Sequence, residues 1–182
     1  MKLEWAKNEL AALDVIPQYN YIFEAGVAGP ELKASASIPE ADELYAQAVA
    51  MEDKAGMLLI VKNDNLLRKA IEKYNLLIKK YPSSDKIDDV AYKAAGIYEH
   101  FKDYTIAVLY YQRTYQWDAE TPYPAQFKAA FILDYYLHRR AEALDQYQQA
   151  IKSLKNEFEH VRWKVFAESR IAELTQSGQK VK

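Results

Sequence analysis

The residues that could do chemistry are few and scattered. Three histidines, His100, His138 and His160, lie too far apart for two to share one helical turn, so they lack metal-ligand spacing. Each falls near an expected helix end, where an imidazolium or a surface imidazole is ordinary. The chain has no His-Glu-x-x-His, no Gly-x-Ser-x-Gly and no Gly-rich phosphate loop followed by Lys-Ser/Thr. Gly26-Val27-Ala28-Gly29-Pro30 reads as a turn. The absence of cysteine removes disulfides, thiolate metal sites and thiol nucleophiles. Asp85, Asp88 and Asp89 gather at an expected helix start, where carboxylates are favoured. Acid–base catalysis by a carboxylate pair would instead set two of them across a cleft. Lys79-Lys80, Lys128 and Arg139-Arg140 are basic, but Asp134 and Glu142 flank the later ones. No long basic stripe with aromatic platforms results, and the net charge is -2. The expectation is no catalytic residue, no metal, no cofactor and no nucleic-acid partner.

Tyrosine is what remains, at 15 copies. It recurs in a pattern of Ala, an aromatic four residues on, and a third residue three further. The instances are Ala70-Tyr74-Leu77, Ala107-Tyr111-Thr114 and Ala143-Tyr147-Ala150, with the lead Ala spaced by 37 and then 36 residues. A period in that range marks stacked helical hairpins. Half the residues are apolar and 27% charged, a folded composition. No stretch is long and apolar enough to span a bilayer, and the start has no signal-peptide core. A chain beginning after a removed signal would look the same.

The elements that must carry this pattern follow from apolar spacing. Lys2 to Ile16 reads as a helix stopped by Pro17. Gln18 to Ile38 is either a short helix and loop packing its aromatics on the body, or an irregular arm. Residues 1–38 thus form an N-terminal helix and arm, 39–174 a helical repeat domain, and 175–182 a frayed polar tail. Within the repeats, helices are expected over Ile38–Lys62, Asn65–Lys80, Lys86–Phe101, Tyr104–Trp117, Tyr123–Leu137, Ala141–Lys155 and His160–Leu174. Thr121 is the expected cap before Pro122.

This layout resembles the tetratricopeptide repeat family, whose second helix carries Ala, then Phe or Tyr, then Ala, with Pro ending the unit. Ala70, Tyr74 and Pro82 stand at those places, and Trp163, Phe166 and Ala167 match a final half-repeat. The unit-ending Pro is replaced by Ala119 and Lys155 later on. The 36–37-residue units and the Tyr81-Pro82-Ser83-Ser84-Asp85 link are similar to repeats of bacterial envelope lipoproteins of the BamD and CpoB type, although their lipobox Cys is missing. The resemblance implies an all-α, right-handed α-solenoid of antiparallel hairpins. It implies a periplasmic or outer-membrane-associated place if a signal was removed, and a cytoplasmic one otherwise.

First helices of such a stack line a concave groove. The expected lining is Leu59 and Lys62, then Tyr92, Gly96 and Glu99, then Lys128, Ile132 and Tyr135, then Lys164 and Glu168. Aromatic and charged residues alternate there as in a peptide groove, while packed rim residues are the bland alternative. The function expected is a noncatalytic adaptor binding a peptide or protein partner in that groove. The alternative is a self-associating scaffold that pairs with a second copy.

Overall fold

A computed structural model describes residues 28–56, 63–153 and 158–179. The expected helix over Lys2–Ile16, the Tyr19–Phe23 aromatics and the groove residues Leu59 and Lys62 lie outside the described residues. The described chain is all-α, with seven helices and no sheet. They are α1 (Pro39–Gly56), α2 (Asp64–Lys80), α3 (Ile87–His100), α4 (Tyr104–Trp117), α5 (Ala125–Tyr135), α6 (Arg140–Ser153) and α7 (Phe158–Gln179).

Local signals explain most of the boundaries. Glu40 and Asp42 occupy the first turn of α1, where carboxylates meet the positive end of the helix dipole. The Asn63 side chain accepts the Leu66 N–H at 3.2 Å and caps α2, while Lys79 and Lys80 sit in its last turn. Ahead of α3, Ser84 Oγ accepts the Lys86 N–H at 3.1 Å. The α3–α4 turn closes through Lys102, whose φ is 63°. Its N–H donates to the Glu99 carbonyl at 3.0 Å, and the Asp103 N–H to the Tyr98 carbonyl at 2.9 Å. That left-handed cap satisfies carbonyls a helix end leaves free. His138, with φ 54°, turns the chain between α5 and α6 in a similar way.

Consecutive helices make the main packing interfaces, as hairpins stacked in order would. The repeated pattern forms the middle of the core. Ala70, Tyr74 and Leu77, then Ala107, Tyr111 and Thr114, then Ala143, Tyr147 and Ala150 are all no more than 2% exposed. Alanine lets two helices approach closely, and the tyrosine one turn on packs against the first helix of its own hairpin: Tyr74 on Tyr45, Tyr111 on Tyr92 and Tyr147 on Phe127.

The segment before α1 is a strap across two links. The Ala34 N–H donates to the Trp117 carbonyl at 3.1 Å, and Trp117 Nε1 donates to the Gly29 carbonyl at 3.0 Å. Further on, the Ala36 N–H donates to the Ser83 carbonyl at 2.8 Å and the Asp85 N–H returns to the Ala36 carbonyl at 2.7 Å. These bonds tie the end of α4 to the α2–α3 link.

Two elements differ from expectation. Helix α5 starts at Ala125 rather than Tyr123, with no side-chain cap. The Thr121 hydroxyl donates instead to Asp88 Oδ2 at 3.0 Å, and Tyr123 donates to Asp89 Oδ1 at 2.5 Å. Both residues are drawn toward α3 and away from helical geometry. Helix α7 runs to Gln179, past Leu174, through residues expected to fray.

Candidate functional site

A cleft of about 560 Å³ opens across α1, α3, α4 and both ends of α5. Its walls are tyrosines. Tyr92 and Tyr123 stack with centroids 4.2 Å apart and 10° between ring planes. Tyr104 and Tyr136 form a second stack at 4.1 Å and 13°. Gly96 opens the floor between them: a Cβ there would meet only Tyr111 Oη, at 4.0 Å.

Charges line the cleft in a repeating arrangement. Glu52 on α1 accepts the Tyr74 hydroxyl of α2 at 2.8 Å and lies 3.4 Å from Lys93 Nζ on α3. Glu99 on α3 accepts the Tyr111 hydroxyl of α4 at 2.8 Å and lies 3.5 Å from Lys128 Nζ on α5. Each rung therefore joins a carboxylate on a first helix, a tyrosine on its hairpin partner and a base on the next first helix. Desolvation, then the adjacent carboxylate, pushes the Tyr74 and Tyr111 hydroxyls far above the ordinary tyrosine range. They stay protonated, and act as fixed donors to the glutamates.

The third rung departs from the other two. Asp134 on α5, with a side chain 1% exposed, is held by Arg170 of α7 through Nε at 2.6 Å and Nη2 at 3.0 Å. The guanidinium fork takes the carboxylate that a tyrosine takes elsewhere. Tyr147 Oη is left buried and without a hydrogen bond. Its hydroxyl too is pushed up, by desolvation and then by the Asp134 charge. This rung is closed, whereas the first two face the cleft. Lys93 and Lys128 are 27% and 34% exposed, so water screens their glutamate pairs and each contributes little.

Of the expected groove residues, Tyr92, Gly96, Glu99 and Lys128 come together in this cleft. Ile132 does not: it is 0% exposed, inside the hairpin core, because its face of α5 packs inward. Tyr135 does not line the cleft either: it stacks on Phe131 at 4.7 Å, with the Arg170 guanidinium 5.3 Å from its ring. Lys164 and Glu168 are on α7, away from the cleft lining, and Glu168 is exposed. Glu52, Lys93, Tyr104, Tyr123 and Tyr136 were missed. The first two sit on helix faces that spacing assigns to solvent, and the tyrosines fall at helix ends and a link.

Among the described residues no three His, Asp or Glu side chains gather as a metal-ligand group, and no helix is long and apolar enough to cross a membrane. Fold and site define an all-α chain of sequentially packed helical hairpins with an aromatic, charge-paired cleft. No protein-family model matches it, and no curated protein matches it in sequence.

Proposed function

We propose that this chain is a noncatalytic adaptor that binds an extended segment of a partner protein in the tyrosine-lined cleft. One observation carries the reading: a cleft large enough for several residues, walled by stacked tyrosines, with carboxylates and ammonium groups of both signs along it. An extended backbone offers donors and acceptors alternately, and such a lining can answer both. Tyrosine walls supply rigid contact area at low entropic cost. On this reading the hairpins form a right-handed solenoid of the tetratricopeptide type. The likeness of the Tyr81–Asp85 link to envelope lipoproteins supports a place in a bacterial envelope assembly.

Gly96 gives the test. A peptide selected from a displayed library is titrated against wild type, Gly96→Ala and Gly96→Leu by fluorescence anisotropy. The methyl of Ala meets only Tyr111 Oη at 4.0 Å and leaves the cleft open. Leu fills the floor without entering the core. Affinity is expected to hold in the Ala variant and fall at least ~10-fold in the Leu variant, about 1.4 kcal/mol. Equal binding by all three proteins places the partner elsewhere and defeats the proposal.

A further inference from the structure

A second pocket lies next to the cleft, with Tyr123 in the walls of both. Its volume is about 250 Å³, and it is more enclosed than the cleft. Pockets for drug-sized ligands run from about 300 to 1,000 Å³, so this one takes something smaller. It forms where the α4–α5 link meets the first turn of α5, the last turn of α6 and the first turn of α7. Those elements contribute Glu120, Gln126, Lys152 and His160 in turn.

The polar groups there lack partners. His160 is 8% exposed, and its Nδ1 is sealed from water without a hydrogen bond. Nε2 bonds nothing among the described residues either, and it is the nitrogen left to meet a ligand. Buried polar groups keep a hydrogen-bond partner in nearly every structure, so a buried imidazole that has none in its own chain points to another molecule. Gln126 Oε1 accepts the Ser153 hydroxyl at 2.5 Å, which turns its amide NH2 the other way. Among the described residues that NH2 finds no acceptor, and Lys152 forms no ion pair.

Charge divides the pocket in two. Lys152, Gln126 and His160 set donors on the helical side. Helix α5 starts there without a side-chain cap and adds the positive end of its dipole. Glu120 stands on the link side, its carboxylate unpaired among the described residues. Further carboxylates back it: Asp118 Oδ1 accepts the Glu120 N–H at 2.8 Å, and Asp88 Oδ2 accepts the Thr121 hydroxyl at 3.0 Å. Lys152 and Glu120 thus share one pocket without pairing. A simple anion would leave Glu120 unanswered, and a simple cation would leave Lys152 unanswered. A molecule carrying both charges answers each.

We propose that this pocket is a second binding site, for a small zwitterion of the amino-acid type, whose carboxylate meets Lys152, Gln126 and His160 and whose ammonium meets Glu120. The proposal is independent of what the cleft binds.

Saturation-transfer difference NMR with each common L-amino acid finds the ligand, and isothermal titration gives its Kd. At least one is expected to bind with Kd below ~1 mM. The same molecule without its amino group, or with its carboxylate amidated, is expected to bind at least ~10-fold more weakly, since each loses a charge-assisted hydrogen bond. Lys152→Met and Glu120→Gln are each expected to weaken binding by a similar factor. Both positions are exposed, so folding is not at stake. Gly96→Leu fills the floor of the cleft alone and is expected to leave this binding unchanged. Failure of every amino acid to bind below that constant overturns the proposal. So does binding indifferent to the lost amino group or to either charge removal, or binding abolished by Gly96→Leu, which would seat the ligand in the cleft instead.

Discussion

Tyr111 shows how one residue serves both core and cleft. Its ring is 2% exposed and lies 5.5 Å from Tyr92, while its hydroxyl holds Glu99 in place for Lys128. Burial of the ring is the larger effect. Tyr111→Ala is expected to cost about 3–5 kcal/mol, the range for removing a large buried aromatic. Tyr111→Phe keeps the ring and loses one hydrogen bond to a partly solvated carboxylate, for about 1 kcal/mol. Urea unfolding of both variants measures the two terms. An Ala variant within about 0.5 kcal/mol of wild type would show that the repeated tyrosines are not the core they form here.

At the scale of elements, Asp134 and Arg170 clasp α7 to α5. The carboxylate is almost wholly buried, and two guanidinium nitrogens satisfy it. Arg170→Ala strands that charge and is expected to cost about 3–5 kcal/mol. Lys128→Ala breaks a pair that water already reaches, and is expected to cost less than about 1 kcal/mol. Thermal unfolding of the two variants side by side reads the contrast. Adding Asp134→Asn to Arg170→Ala should recover part of the loss, because the amide carries no charge. A double variant no better than the single one would show that the clasp acts through packing alone.

Across the whole molecule, tyrosine burial sets a limit on the alkaline side. Desolvation, with nearby carboxylates, pushes the Tyr45 hydroxyl up to about 12. Tyr115 is also pushed up to about 12, chiefly by desolvation. Tyr74, Tyr111, Tyr123 and Tyr147 are displaced further in the same direction. In the unfolded chain these groups ionise near the ordinary value of 10.0. Between 10.0 and about 12 the unfolded state therefore binds fewer protons than the folded state, and stability falls as pH rises. Below 10.0 the contribution is fully present. Helicity is expected to stay level up to that pH and then collapse together with a late rise in tyrosinate absorbance. Complete ionisation of all 15 tyrosines with helicity intact would contradict the burial described here.

What the sequence determined by itself was the helical-hairpin plan. Apolar spacing marked the helices, and the Ala-Tyr period marked the residues that meet between them, because i, i+3 and i+4 relations are local and written along the chain. Four cleft residues, Tyr92, Gly96, Glu99 and Lys128, were legible for the same reason. The rungs were not. Glu52 is 22 residues from Tyr74 and 41 from Lys93, and no local period relates a carboxylate to a base that far away. Nor could spacing place Ile132 inside, Thr121 on Asp88, or the 28–38 segment across Trp117 and Ser83. Those outcomes depend on where whole helices come to rest, since a hydroxyl or a carboxylate takes the nearest partner that stacking brings within reach. The tertiary structure alone decided which charges meet, and so where the cleft is polar and where it is closed.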